Sequence, residues 1–173
     1  GLGDVYKRQG LHHMFLAVDF QLMGSSLKGT YLWPIVAISN ICQGSAAFGA
    51  WLIYKRRKMA KEEGLALTSG VSAFLGVTEP AMFGVNLPLK VPFFAAICTS
   101  GILGAVIGAN RVLGNVGVGG VPAFISIQSK YWYIYIPVIL LAMILPAVLT
   151  VIFSKFTKIK AKEMVENLSL IHI

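Results

Sequence analysis

Charged residues are scarce in this sequence. Only 13% of its 173 residues are charged and 56% are hydrophobic, with a mean hydropathy of +0.73. A soluble domain carries about a quarter of its residues as charges, so this chain cannot cover a water-facing surface. The composition excludes a soluble globular enzyme and, despite a net charge of +8, a nucleic-acid-binding protein. The length allows about one domain, and a membrane protein is predicted.

Metal-binding patterns are also lacking. Cys42 and Cys98 lie far apart and form neither a disulfide framework nor a metal motif. His12 and His13 point about 100° apart if they are helical, and no Cys, Asp or Glu follows at the spacing that zinc needs. We therefore expect no metal and no cofactor. Either one histidine faces a polar substrate or proton path, or the pair packs against neighbouring helices.

The two ends of the sequence have complementary coding. Residues 4–9 can be encoded by codons whose reverse complement translates into residues 168–173, Leu-Ser-Leu-Ile-His-Ile. This pattern is typical of a sequencing adapter read through at both edges of a DNA fragment. Residues 1–9 and 168–173 are therefore interpreted as artefacts and excluded from functional reasoning. The natural sequence is expected to begin in mid-protein near Gly10.

Long apolar stretches dominate the remainder. Three of them, 31–54, 91–110 and 133–153, approach or exceed the roughly 20 residues that a membrane-spanning helix needs. A fourth, 65–89, is equally apolar but interrupted by glycine and proline. A basic loop at 55–63 completes the predicted transmembrane domain of 10–160, and a cytoplasmic tail is predicted at 161–167.

The charge pattern predicts how these stretches cross the membrane. Short loops rich in Lys and Arg stay cytoplasmic, so the loop at 55–63 and the tail after 153 should share one side. Three apolar stretches lie between them, and an odd number of crossings cannot return the chain to its starting side. We therefore predict that 65–89 is a re-entrant hairpin, since irregular backbone is tolerated in a membrane only where protein or a wet cavity surrounds it.

Glu79 is the most informative residue. It is the only carboxylate between Glu63 and Glu163, and it precedes Pro80 within the broken stretch. Charged residues inside membrane segments are costly and usually functional. The functional hypothesis is a carboxylate that accepts hydrogen bonds or a proton from a polar substrate. The structural alternative is that Thr78 or Glu79 caps the following helix.

Other polar and small residues allow two interpretations. Asn40 and Gln43 lie one helical turn apart within the first span, where they either line a site or form interhelical hydrogen bonds. The pair Gly104 and Gly108 predicts a helix contact. The glycines of 114–120 match no phosphate-binding motif, and a connector is expected there.

Three motifs allow a family to be suggested. They are Gly-Leu-His-His at 10–13, Asn-Ile-Cys-Gln-Gly at 40–44, and Gly-Val-Thr-Glu-Pro-Ala-Met-Phe-Gly-Val-Asn-Leu at 76–87. The chain resembles the sugar-translocating IIC subunit of the bacterial phosphoenolpyruvate-dependent phosphotransferase system, glucose superfamily. The resemblance covers nearly all of 10–160. It is strongest to trehalose-specific members, with sucrose and β-glucoside members close behind.

The resemblance implies an all-α membrane fold, with transmembrane helices and a re-entrant hairpin forming part of the IIC transport domain. It implies a homodimeric, multi-pass permease of the bacterial inner membrane that translocates a disaccharide. The sugar is phosphorylated by a IIB phosphocysteine domain, itself supplied by IIA, so the complete protein is a protein-Nπ-phosphohistidine–sugar phosphotransferase. The IIB cysteine is absent from this sequence, so no activity is expected of the chain alone.

The resemblance also implies the site. Glu79 and His12 are the catalytic candidates, and the substrate-binding candidates are Glu79, His12, His13, Thr78, Asn86, Gln43 and Asn40. No metal or nucleic acid is implied. The rival hypothesis is an ion-coupled sugar transporter without phosphorylation, in which Glu79 and His12 form a proton relay.

Overall fold

The computed structural model describes Gln21, residues 29–115, Gly117 and residues 119–156. Its α-helices are α1 (Leu32–Arg56), α2 (Ala60–Phe74), α3 (Glu79–Ala81), α4 (Leu87–Leu89), α5 (Val91–Ala109) and α6 (Trp132–Phe156). A π-helix at Met82–Asn86 joins α3 to α4, and 3₁₀ turns at Val121–Ser126 and Ser129–Tyr131 precede α6. Within the described residues, extended pairing is limited to two isolated bridges. The predicted all-α class is confirmed.

Three of these segments are long and apolar enough to cross a membrane: Leu32–Arg56, Val91–Ala109 and Ser129–Ser154. At 1.5 Å per residue, their 25, 19 and 26 residues correspond to about 37, 28 and 39 Å. A bilayer's hydrocarbon core is about 30 Å thick. The apolar stretches that were predicted to span the membrane therefore correspond to helices that are long enough to do so.

Helices α1 and α6 run in the same direction. Near their beginnings, the Tyr135 hydroxyl donates to the Pro34 carbonyl at 3.3 Å. Further along, a Cβ added at Gly49 would lie 2.8 Å from the Cβ of Thr150. Both contacts join positions at matching heights, and the absence of a side chain at Gly49 permits the close approach.

Helix α5 runs opposite to α1. Gly104, late in α5, faces Ile35 early in α1, where an added Cβ would meet the Ile35 side chain at 3.2 Å. This confirms the helix contact predicted for Gly104. Just outside the two helices, Thr30 and Gly114 exchange backbone hydrogen bonds of 2.8 and 3.1 Å. The start of α1 and the end of α5 therefore meet at one end of the bundle, which we call the Thr30 end.

Residues 60–89, here called the inserted segment, start and finish at the opposite end and run alongside α1 between these points. Because α1 and α5 are antiparallel, α1 finishes and α5 begins at the end away from Thr30, so the inserted segment leaves and rejoins the bundle there. Its two arms, α2 and residues 79–89, are about 22 and 16 Å long. Neither arm could cross about 30 Å of hydrocarbon alone.

The inserted segment packs on α1 through small residues. A Cβ added at Gly44 of α1 would lie 2.7 Å from the Phe74 ring and 3.1 Å from the carbonyl of Gly70. The buried side chains of this interface come from α1, α2 and residues 79–89, and are Ala47, Ala50, Tyr54, Ala66, Ala73, Ala81, Val85 and Leu89. Most are alanines, which allow the backbones to approach closely.

Candidate functional site

The two arms of the inserted segment meet in a turn at residues 75–78. Gly76 adopts a φ of +107°, which glycine reaches without steric cost. The Val77 N–H donates to the Ser72 carbonyl at 3.0 Å, and the Ser72 hydroxyl donates to the Val77 carbonyl at 3.1 Å. These reciprocal bonds close the turn and fix where the chain starts its second arm, at Thr78 and Glu79.

Glu79 begins the second arm with its side chain exposed. The structural alternative required a side-chain cap, but the N-cap residue Thr78 makes no side-chain capping hydrogen bond. Among the described residues, no hydrogen bond or ion pair engages the Glu79 carboxylate. That carboxylate retains its capacity to accept hydrogen bonds from a ligand.

Asn86 and Gln43 form a buried pair within the same interface. The Asn86 side-chain amide donates to the Gln43 backbone carbonyl at 2.9 Å and to its Oε1 at 2.8 Å. This confirms the interhelical hydrogen bond that was one of the two interpretations of Gln43. Asn86 is fully buried, yet its Oδ1 has no partner among the described residues. One strong acceptor therefore remains unpaired, at the end of a π-helix, a feature frequent at functional sites.

Asn40 lies beside the turn. A Cβ added at Gly119 would sit 2.9 Å from Asn40 Nδ2 and 3.3 Å from the Gly76 Cα. The described site candidates thus form two groups. Asn40, Thr78 and Glu79 belong to the turn and its surroundings, whereas Gln43 and Asn86 lie within the α1 interface.

His12 and His13 lie outside the described residues, as does the predicted tail at 161–167. The described residues contain no group of three or more His, Cys, Asp or Glu that could hold a metal ion. Cys42 is buried and Cys98 is exposed, and both are free thiols. The arrangement provides hydrogen-bonding groups of the kind that bind polar ligands.

Sequence reasoning missed two contacts of the site. It assigned Gly119 and Gly120 only to a connector, without their contact with the turn, and it did not pair Gln43 with Asn86. The only signal was compositional, since glycine inside a connection often marks a close backbone approach. Which backbone it approaches cannot be deduced from one sequence.

An all-α membrane protein with a broken, largely apolar insertion that carries one carboxylate at its turn is the class that this architecture defines. The profile of the family "Phosphotransferase system, EIIC" matches residues 9–101. The trehalose-specific EIIBC component of Bacillus subtilis (strain 168) is 50% identical over 148 residues, which is 85% of this chain and 31% of that relative. The trehalose-specific EIIBC component of Escherichia coli (strain K12) is 44% identical over 142 residues, covering 82% and 29% respectively.

The sucrose-specific EIIBC component of Staphylococcus xylosus is 48% identical over 131 residues, or 73% of this chain and 27% of that relative. No solved structure matches the chain. The chain belongs to the EIIC family of the phosphotransferase system. It spans less than a third of the length of these curated relatives.

Proposed function

We propose that the chain is the part of a phosphotransferase-system sugar permease that binds the sugar during translocation. In the complete protein, translocation is coupled to phosphorylation of the sugar by a IIB phosphocysteine domain, itself supplied by IIA. The proposal rests on the position of Glu79 in a chain of the EIIC family. Its side chain is exposed next to the turn of the inserted segment, and its carboxylate does not cap the helix that begins there.

The inserted segment is proposed to be a re-entrant hairpin. Its support is that both arms are too short to cross alone and that the segment begins and ends at the same end of the bundle. The basic residues Lys55, Arg56, Arg57 and Lys58 lie at that end, which the preference of basic loops for the cytoplasm would place inside the cell. The turn would then carry Glu79 into the membrane from the cytoplasmic side, in a multi-pass protein of the bacterial inner membrane.

Glu79 is proposed to accept hydrogen bonds from sugar hydroxyls and to act as a base toward the attacking oxygen, with His12 as its catalytic partner. Thr78, Asn40 and His13 are proposed as further substrate contacts. Asn86 and Gln43 contribute through the Asn86 Oδ1, which can accept one more hydrogen bond. Polar contacts of this kind discriminate sugars, because an analogue without a hydroxyl leaves buried groups unpaired. Homodimerisation of the complete protein is part of the proposal.

Trehalose is the proposed substrate because the relatives at 50% and 44% identity are trehalose-specific components. The sucrose-specific relative at 48% identity makes sucrose the second candidate. Phosphorylation of the two sugars is compared directly by supplying phosphoenolpyruvate, the general phosphotransferase proteins and membranes containing a full-length EIIBC protein that carries this segment. Faster phosphorylation of sucrose than of trehalose would overturn the substrate assignment.

The role of Glu79 is tested in the same assay with Glu79→Gln, which keeps the shape of the side chain and removes its basicity. Loss of general base catalysis should lower the phosphorylation rate by about a hundredfold or more. Glu63→Gln, the same change in the first turn of α2, is the matched control and should leave the rate unchanged. Near-normal phosphorylation by Glu79→Gln would refute the role. Sugar uptake that needs a membrane potential and no phosphoryl donor would favour the ion-coupled transporter instead.

A further inference from the structure

We infer that Gly119 and Gly120, in the connection between α5 and α6, are positioning residues for Glu79. They hold the turn at 75–78 through direct backbone contact. The inference rests on the proposed function, because it concerns how the same carboxylate is presented to a sugar.

Gly120 meets the end of α2. Its φ is +70°, in the region that favours glycine. A Cβ added there would overlap the Phe74 carbonyl oxygen and lie 2.8 Å from the Gly76 nitrogen. Only a residue without a side chain lets the connection come this close to the start of the turn.

Gly119 meets the turn itself. A Cβ added at Gly119 would lie 3.3 Å from the Gly76 Cα, and a Cβ added at Gly76 would lie 3.0 Å from the Gly119 Cα. The two backbones therefore touch with no side chain between them. Packing of this kind transmits small shifts, because neither side has a flexible group that can absorb them.

The connection has fixed points of its own. The Gly114 N–H donates to the Thr30 carbonyl at 3.1 Å, and the Asn115 N–H donates to the Ser126 carbonyl at 2.8 Å. These bonds tie the connection to the Thr30 end of the bundle and to the 3₁₀ turn before α6. Residues 119–120 therefore link the turn that carries Glu79 to the three long helices.

The functional consequence is geometric. Glu79 follows Gly76 closely along the chain, so a displaced turn displaces the carboxylate. A misplacement of about 1 Å by a change away from the reacting atoms can cost about a hundredfold in rate. Gly119 and Gly120 would therefore determine where the Glu79 carboxylate meets the sugar, although neither glycine contacts the sugar itself.

The deciding variant is Gly119→Ala in a full-length EIIBC protein that carries this segment. The new methyl group would lie 2.9 Å from Asn40 Nδ2, which can swing aside, and 3.3 Å from the Gly76 Cα, a backbone atom that must move by a few tenths of an ångström. The fold should therefore tolerate the change while the turn shifts. The variant is also made in an Asn40→Ala background, so that displacement of the Asn40 side chain is separated from the shift of the turn. We expect the half-saturating sugar concentration to rise between about tenfold and a hundredfold, which corresponds to the loss of about one hydrogen bond to a charged group, with the thermal unfolding midpoint close to that of the wild type. Gly120→Ala places its methyl group against backbone atoms. It should raise the half-saturating sugar concentration further and also lower the thermal unfolding midpoint.

Gly64→Ala and Gly101→Ala are the matched controls, because an added Cβ at either position has nothing within 4 Å. Both should leave the half-saturating concentration unchanged. A folded Gly119→Ala protein with wild-type half-saturation would overturn the inference. So would a Gly119→Ala protein that fails to fold, since the contact would then be a requirement of the fold rather than a means of positioning.

The two proposals fail in different ways. Wild-type behaviour of Gly119→Ala, alongside a strong loss in Glu79→Gln, overturns the positioning role and leaves the proposed function standing. Normal phosphorylation by Glu79→Gln overturns the proposed function and the inference together.

Discussion

Helix α1 buries a polar side chain on each of two faces, and the hydrogen bonding of the polar groups differs between the two faces. Toward α6, the Ser45 hydroxyl donates to the Met143 carbonyl at 2.6 Å and accepts from the Ala147 N–H at 3.1 Å. Toward the inserted segment, Gln43 accepts from Asn86, whose Oδ1 stays unpaired. The Ser45 hydroxyl therefore both donates and accepts a hydrogen bond across the α6 face, whereas Asn86 on the face toward the inserted segment leaves a strong acceptor unpaired among the described residues.

The difference matches the roles proposed for the two regions. Satisfied polar groups stabilise a single arrangement, and an unpaired buried acceptor costs about 1–3 kcal/mol. The Ser45 contact is therefore suited to a fixed scaffold, and the one polar atom of α6 that is buried against Gly49 with no partner in the described part of the chain, Thr150 Oγ1, is a hydroxyl rather than an amide acceptor. The inserted segment is suited to a site in which a water molecule or a sugar hydroxyl completes the hydrogen bonding.

The largest expected effect is on the inserted-segment face. Asn86→Asp removes the amide that donates to Gln43 and sets a carboxylate against two acceptor oxygens. An uncompensated buried charge costs about 3–5 kcal/mol, so thermal unfolding in detergent should show severe destabilisation or no folded protein. The same change at Asn110, an exposed residue at the end of α5, should cost about 1 kcal/mol or less. Equal stability of the two variants would show that the Asn86 pair does not hold the segment on α1.

A smaller effect is expected on the α6 face. Ser45 bridges Met143 and Ala147, one helical turn apart on either side of Pro146. Ser45→Ala removes both bonds, but the two backbone groups it served can then pair with each other, so the expected loss is about 1–2 kcal/mol. Ser100→Ala is the control, since that hydroxyl bonds only to the Ile97 carbonyl of its own helix. A neutral Ser45→Ala would mean that α6 closes its own helix equally well without α1.

The sequence predicted the regions whose signal is local. Apolar length located the three long helices, and the paired glycines predicted that Gly104 lies at a helix contact, without identifying α1 as the partner. The break at 65–89 was visible because Gly76 and Pro80 interrupt an apolar run. Hydropathy placed the start of that stretch at Leu65, whereas α2 already begins at Ala60. Lys61, Glu62 and Glu63 are good helix formers, so the helix extends into the polar loop although the apolar run does not.

Contacts between distant parts of the chain could not be predicted. Nothing in a single sequence joins Gly119 to Gly76 or Asn86 to Gln43, because these pairs depend on how the inserted segment folds back onto α1. The partner of Ser45 was equally hidden. Pro146 cannot donate to the carbonyl of Ala142, but Ser45 bonds to Met143 and Ala147 instead, so the proline did not indicate this contact.

The smallest expected effect concerns the junction where the inserted segment rejoins α5. Lys90 adopts a φ of +60°, a conformation that is strained for any residue with a Cβ and absent from the continuous helices. Lys90→Gly should relieve a strain of about 1–2 kcal/mol while adding about 0.5–1 kcal/mol of backbone entropy to the unfolded chain. The net prediction is a slightly raised unfolding temperature.

Lys61→Gly, within α2, is the control of opposite sign. At ordinary helical angles glycine gives no relief of strain, so this variant should be destabilised by about 1 kcal/mol. If Lys90→Gly lowers the unfolding temperature as much as Lys61→Gly does, the junction is not strained.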